Sequence, residues 1–394
     1  MTSPRFVQIH FLTSYPAALL NRDDAGLAKR LPFGGVTRTR ISSQCLKRHW
    51  RMAEDEKWAL RSIGVPMAVR SRRIVDRALV GWLIDEQRID SSTAQAVGEA
   101  FLKQLFQESA ARKRATDGTE EIELETGQAV LFGEPEIAWL REQARACCSG
   151  ADDPKAAKAA AEALFKDTDV KANLAAMKHH AGLESALFGR MVTSDLIANT
   201  EAAIHVAHTF TVHEEESESD YFTVVDDLKN RAGGDDAGSA GIFDMELTSG
   251  LYYGYVVVDV PGLVANLGGD TVLAGRVVEH LIHLVATVSP GAKLGSTAPY
   301  GWAQLLLIET GSRQPRTLAN AFRDPVTLDR RGGTHEAAVK ALSQHLTRLD
   351  EAYGPMEQRR FLAVEPGELP GAERRSLDNL AAWAKAAVAN GSVG

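Results

Sequence analysis

Strand rhythm is present at both ends of this 394-residue chain and absent between residues 61 and 180. That interruption constrains the fold more than any other feature. Residues 5–13 (RFVQIHFLT) alternate, with Val7, Ile9 and Phe11 on one side, which predicts a buried-face strand. A loop containing Pro16, Pro32 and Gly34-Gly35 follows, and Val36 to Ile41 alternates again with Arg38 and Arg40 on one face. Ser42-Ser43 supplies a helix N-cap, so Gln44 to about Leu60 is expected to be the first long helix.

Within the interruption, 72–88, 91–112, 135–147, 154–166 and 169–179 have helical pattern, with one short strand possibility at 121–125. Strand character returns in ESALFGRMVTS (184–194), AAIHVAHTFTV (202–212) and LYYGYVVVDV (251–260). Thr271–Thr287 reads as a helix and Trp302–Glu309 as a final strand. The order is then β-α-β-β-α-β, the split βαβ of an RRM-like or ferredoxin-like sheet, with a helical block inserted after the first helix. The expected class is α+β. Residues 334–350 and 372–390 are expected to be closing helices.

Charge is segregated along the same chain. Asn21 to Arg51 holds eight Lys/Arg (Arg22, Lys29, Arg30, Arg38, Arg40, Lys47, Arg48, Arg51) against Asp23 and Asp24. With Arg5 included, residues 1–51 carry +7; the whole chain carries −8, so the remainder carries −15. A basic region on an acidic protein reads as a local polyanion surface, most simply for nucleic acid. Gln44, Lys47, Arg48 and Arg51 share one face of the expected helix, while Leu46, Trp50 and Ala53 share its core side. The basic face begins at a helix N-terminus, where free backbone N–H groups also attract phosphate. Residues 213–250 are the reverse, with eleven acids against Lys229 and Arg231, a net −9. This arm includes Tyr221-Phe222-Thr223, aromatics suited to touching a base. An outward-reaching arm would meet the basic region of the next copy head to tail, a contact that propagates into a filament. Neutralisation within one molecule is equally consistent with the pattern.

Other features narrow the classes. No apolar run approaches the roughly 20 residues needed to span a bilayer, and the first residues lack a signal-peptide layout. Three cysteines, Cys45, Cys147 and Cys148, have no CxxC spacing, which fits a cytoplasmic protein without disulfides or zinc. No cofactor is expected, since neither GxxxxGK nor a strand-linked GxGxxG is present. His205 and His208 fall on opposite faces of an expected strand, and His280 and His283 beside Glu279 lack an evident third ligand. Lys155, Lys158 and Lys166 sit among acids and read as a solvated helix face.

Several motifs resemble one family. LNRDD (20–24), FGG (33–35) and RISSQxLKR (40–48) are similar to the N-terminal signature of CasC, the repeated backbone subunit of Cascade, the type I-E CRISPR surveillance complex. GRM (189–191), YFTVVDDL (221–228), SGLYY (249–253) and PGAK (290–293) follow in the family's order, so the resemblance spans residues 5 to about 325. It implies a right-hand shape. Residues 1–60 and 181–325 would form an RRM-like palm, 61–180 helical fingers, 209–250 a β-hairpin thumb, and 326–394 a C-terminal helical closing segment. Copies would line up head to tail along a CRISPR RNA, with other Cascade subunits at hand, and present its bases for pairing with target DNA. By the same resemblance, Arg22, Lys29, Ser42, Gln44, Lys47, Arg48 and Arg51 should meet guide phosphates or sugars. Met191, Tyr221, Phe222 and Thr223 should flank a displaced base, and Lys293 should add a phosphate contact. Tyr221 stands where the family more often has Trp, and Cys45 where it has Ser.

The resemblance implies a non-catalytic role. Two alternatives share the basic surface. Related type III complexes cut target RNA with a metal held near a loop Asp, and Asp23 and Asp24 occupy a comparable loop. A generic RNA-binding module is the other.

Overall fold

The computed structural model describes residues 4–114, 120–177, 181–191, 199–225, 239–327, 333–355 and 357–390. The chain forms two compact units. One comprises Met1–Leu60, His205–Val260 and Thr271–Gly394, the other Arg61–Ile204 and Pro261–Asp270.

The first unit is built on a large mixed sheet. Its strand order runs Ala372–Arg374, Gln358–Ala363, Ala303–Gly311, Phe6–Ala18, Ser239–Asp259, Thr209–Thr211, Val36–Ile41, Arg30–Phe33. Phe6–Ala18 is central, antiparallel to Ser239–Asp259 on one side and to Ala303–Gly311 on the other. It is longer than the alternation suggested, and Phe6 to Thr13 are all buried. Both faces of this strand are covered, so its polar residues Gln8 and His10 are buried as deeply as its apolar ones. Phe6 and Leu12 pack with Tyr253, Leu305, Leu307 and Phe361 and with Leu342 and Leu346 of helix Thr334–Tyr353. Helix Thr271–Thr287 packs against Phe6–Ala18 and Ala303–Gly311, and against helix Leu377–Ala389.

A charged network crosses the helix Thr334–Tyr353 side of this sheet. Glu309 is fully buried and accepts hydrogen bonds from Arg316 (2.6 and 2.9 Å), Arg359 (2.7 Å) and His10 (3.2 Å). Arg359 also reaches Asp350 at 2.5 and 2.7 Å. Tyr253 donates to His10 Nδ1 at 2.9 Å and accepts the Leu318 N–H at 2.9 Å. Burial lowers the His10 pKa despite Glu309, so the ring is neutral and donates through Nε2. Burial alone would raise Glu309; bonds from Arg316 and His10 override it and hold the carboxyl well below its usual range.

Several expected elements differ. The first helix is Ser43–Arg51, ending near Met52 rather than Leu60. The Asp55 carboxylate accepts the N–H groups of Lys57 (2.9 Å) and Trp58 (2.6 Å), which forms a turn instead. Trp58 then stacks on His283, ring centroids 3.5 Å apart, a tertiary contact that sequence periodicity does not carry. His280 and His283 are thus buried, with His280 Nδ1 near the Trp58 and Ala59 carbonyls. Helix Thr271–Thr287 lies where expected, but AAIHVAHTFTV splits into two short strands, Ile204–Val206 and Thr209–Thr211. The C-terminal segment is not all helix, since Gln358–Ala363 and Ala372–Arg374 extend the sheet before helix Leu377–Ala389.

The second unit is mainly helical: Ser91–Phe106, Glu134–Ser149, Pro154–Leu164 and Thr168–Ala176 follow the expected pattern. Ile74–Gly81 is a π-helix rather than regular α. Its core joins Phe101, Phe132, Leu140 and Phe165, and takes in Cys147 and Cys148. The short strand possibility at 121–125 is met by Glu120–Glu123, which pairs antiparallel with Ala111–Arg114; that partner, and the antiparallel pair of Ala68–Ser71 with Val130–Gly133, were not expected. Of ESALFGRMVTS, residues 184–188 belong to helix Leu183–Phe188 rather than to a strand, and 192–194 lie outside the described residues. The buried Glu184 carboxylate accepts the Ala68 N–H, tying that helix to a strand edge. Arg190 is buried on Glu136 at 2.6 and 2.8 Å, and Glu136 also accepts the Gly133 N–H at 2.9 Å. Among the described residues no helix is long and apolar enough to cross a membrane.

Removing the Glu309 carboxylate takes from the half-buried Arg316 and the buried Arg359 their shared buried partner, leaving them Glu357 at 3.8 Å and Asp350 at 2.5 Å. Glu309→Ala should therefore lower stability by about 3–5 kcal/mol, read from denaturant unfolding. Because its folded pKa is depressed, Glu309 stabilises the fold above the unfolded-state value near 4.3, and that contribution is lost as pH falls below it. The unfolding free energy of the Glu309→Gln variant, from denaturant titrations across an acid pH series, should therefore fall less steeply as pH drops below that value.

Candidate nucleic-acid interface

The cationic N-terminal stretch does not act as one surface. Arg38 is fully buried, and its guanidinium donates to the carbonyls of Phe33 (3.2 Å), Thr211 (3.0 Å) and Phe322 (3.0 Å). It welds the hairpin Arg30–Ile41 to the sheet and is not an anion ligand, although alternation put it on a face with Arg40. The hairpin turns at Gly34-Gly35. Gly34 has φ +64, and a Cβ there would sit 1.6 Å from the Arg323 carbonyl oxygen, so the FGG motif is a packing requirement. Arg30 pairs with Glu215 and Glu246, acids at the base of the arm. Here the charge segregation is neutralised within one molecule.

The remaining cations gather where the chain leaves the central strand. Arg22 is exposed and bridges back to Ala28, around a turn that Asp23 closes by accepting the Ala25 (2.9 Å) and Leu27 (3.0 Å) N–H groups. Asp24 is exposed on the same turn. Lys29 donates its N–H to the Asn21 carbonyl (2.9 Å), and the Asn21 side chain accepts the Ser42 N–H (2.9 Å). The loop is therefore fastened to the start of helix Ser43–Arg51. Ser42 is buried and its hydroxyl oxygen accepts the Cys45 N–H at 3.3 Å, the cap the sequence predicted.

Gln44 and Arg48 are exposed on this helix and Lys47 and Arg51 half-exposed, whereas Leu46 and Trp50 are buried, as the amphipathic pattern required. Arg48 of this helix and Lys29 of the preceding loop both act on one thiol. Burial pushes the Cys45 thiol up to about 11, against the pull of Arg48 and Lys29. The His208 pKa is lowered by burial and by Arg40 and Lys29, and Arg40 lies 3.2 Å from His208 Nδ1. Lys29 therefore lies within electrostatic reach of both Cys45 on the helix and His208 beside Arg40.

The PGAK loop joins the same surface. The Ala292 N–H donates to the Leu19 carbonyl (3.0 Å), and Gly291 N–H to His49 Nε2 (3.4 Å). His49 Nδ1 bonds the Cys45 carbonyl at 2.8 Å, so Lys293 is carried beside the helix. The sequence expectation for Lys293 rested on resemblance; the structure docks the backbone of its loop beside the helix. The same loop runs on to Tyr300 and Trp302, 74% and 72% exposed, which sequence reading missed because Trp302 looked like the start of a strand.

The expected base-contacting residues are divided. Tyr221 and Phe222 are exposed on strand Glu216–Val225, which forms an antiparallel hairpin with Ser239–Asp259. Successive strand residues face opposite ways, so the two rings address opposite faces of the hairpin. Thr223 pairs with Ile242 in the ladder. The centre of the arm, 226–238, lies outside the described residues. Met191, 91% exposed, belongs to the second unit and follows the buried Arg190. Among the described residues no group of three or more His, Cys, Asp or Glu could hold a metal ion.

The helix cap can be tested alone. Ser42→Ala should cost about 1 kcal/mol of stability by leaving the Cys45 N–H unpaired, and Ser42→Asn should recover most of it in denaturant titration.

Comparison with known proteins places this geometry. No curated protein matches the chain. A chain of a solved structure described as "CRISPR RNA-guided surveillance complex, pre-nicking" is 25% identical, with TM-score 0.77 over 96% of this chain and all of that one. A second, described as "CRISPR RNA-guided surveillance complex", is 22% identical with TM-score 0.67, over 96% of this chain and 99% of that one, and shares the fold. The model of one family, described as CT1975-like protein, matches residues 7–386, and the chain belongs to that family.

Proposed function

We propose that this protein is a non-catalytic CRISPR RNA-binding backbone subunit of a Cascade-type surveillance complex, close to CasC. The observation that carries the reading is the capped helix Ser43–Arg51, which presents Gln44, Lys47, Arg48 and Arg51 beside Lys29 and the Lys293 loop on one positive surface. Likeness over nearly the full length to a chain of an RNA-guided complex supports it. In this reading the sheet core, where Ala303–Gly311, Phe6–Ala18, Ser239–Asp259 and Thr209–Thr211 lie side by side, is an RRM-like palm. The helical unit supplies fingers and the Glu216–Val225 hairpin a thumb. Copies stack head to tail along the guide, leaving bases free to pair with target DNA. Asp23 serves the turn through its backbone hydrogen bonds, which fits a structural rather than a metal-binding aspartate.

Each cation that neutralises a phosphate of single-stranded RNA lowers the slope of log affinity against log salt by about 0.7. The Lys47→Ala/Arg48→Ala/Arg51→Ala variant should therefore bind RNA with a slope smaller by about 2, measured by fluorescence anisotropy across a salt series. An unchanged slope would remove the helix from the interface. Protein expressed with a CRISPR array should co-purify with one discrete small RNA, whereas a heterogeneous pool would support the generic module. The assembled particle should leave complementary RNA intact with Mg²⁺; cleavage abolished by Asp24→Ala would establish the enzymatic alternative.

A further inference from the structure

Tyr300 and Trp302 are among the most exposed large side chains of the described residues, at 74% and 72%, and only Gly301 separates them. Two large rings in water are costly for a subunit whose remaining aromatics are mostly buried. The backbone beneath them is firmly held. A Cβ at Gly301 would lie 2.7 Å from the Ser14 carbonyl oxygen, so the chain there lies flat on the exit of the central strand. Ser289 Oγ both accepts the Gly301 N–H and donates to the Gly301 carbonyl, each at 2.8 Å. The rings therefore project from a fixed base rather than from a loose tip.

Their position supplies the occupant. The loop 290–302 runs beside residues 14–19 of the central strand, docked at one end by Ala292 on Leu19 and at the other by Gly301 on Ser14. Lys293 and the cationic helix stand at the Leu19 end, the aromatic pair at the Ser14 end. A cationic track continued by exposed rings is how proteins hold single strands without reading sequence, with phosphates on the charges and bases on the rings.

We propose that Tyr300 and Trp302 form a stacking platform for bases of the single-stranded RNA whose phosphates engage the Lys293 and Ser43–Arg51 surface. This rests on the RNA-binding reading above and adds a base-contacting element that neither charge nor resemblance indicated. Stacking is neutral, so removing the rings lowers affinity without changing its salt dependence. It also requires bases, so a sugar-phosphate strand lacking them gains nothing from the platform.

The test uses the full chain and RNA oligonucleotides, with and without bases, titrated by fluorescence anisotropy at several salt concentrations. Tyr300→Ala/Trp302→Ala should bind base-bearing RNA about tenfold to a hundredfold more weakly with an unchanged salt slope. It should bind the abasic strand as the unsubstituted chain does. Tyr300→Phe/Trp302→Phe keeps rings at both positions and should retain most of the affinity. Equal binding of the Ala variant and the unsubstituted chain overturns the platform while leaving the RNA-binding reading standing. Parallel losses on the base-bearing and abasic strands overturn it, because the effect would then lie in the phosphate surface or the fold. Loss of self-association in gel filtration with RNA affinity intact overturns it in favour of a contact between copies. No RNA binding by the unsubstituted chain overturns both proposals.

Discussion

Glu309 has none of its surface exposed, and an ionised carboxylate survives there because Arg316, Arg359 and His10 all meet it. The network ties together segments far apart in sequence. His10 comes from the first strand, Glu309 from Ala303–Gly311, and Arg359 from a strand in the last forty residues, with Asp350 on the helix beside it. A buried pair of this kind is not a cheap source of stability, since desolvation offsets much of the attraction. What it supplies is registration. The sheet can close over the charges only if the C-terminal strand Gln358–Ala363 pairs beside Ala303–Gly311 with Arg359 facing Glu309. The expected closing segment is for this reason part of the main sheet.

The same economy governs the N-terminal cations. Arg22, Arg30, Arg38 and Arg40 are chemically identical and close in sequence, yet their neighbours give them different work. Arg38 satisfies three backbone carbonyls inside the fold, and Arg30 meets two glutamates of the arm base. Arg40 joins Lys29 at the surface, and Arg22 remains exposed. The positive surface is smaller than the charge count of the segment implies, and more sharply placed. It centres on a nine-residue helix whose N-cap, Ser42, is itself held by Asn21. The conjunction of NRD and SSQ in one sequence thereby has a structural cause: the first loop fixes the helix that carries the charges.

The acidic arm has two parts with different environments. Glu215 and Glu246 at its base are consumed by Arg30, and Glu246 also accepts the Ala28 N–H at 2.6 Å. Glu214, Glu216, Glu218 and Asp244 remain exposed. Net charge along a segment therefore states how much charge must be solvated or paired, and says nothing of which residues do which.

Local information was sufficient where one periodicity dominated. Helix Thr271–Thr287, the helices of 91–176, the Ser42 cap and the buried Leu46–Trp50 side were readable because spacing alone selects the face that meets the core. The motif order also sufficed to indicate likeness to a subunit of a CRISPR RNA-guided surveillance complex. Tertiary structure decided the rest. Helix Ser43–Arg51 stops early because Asp55 closes a turn and Trp58 finds His283, more than two hundred residues away. Leu183–Phe188 is helical because its apolar residues pack that way and Glu184 is held by the Ala68 N–H. The exposure of Tyr300 and Trp302 was invisible for the same reason: hydrophobicity tells a chain what to bury, and only the completed packing shows which rings were left outside.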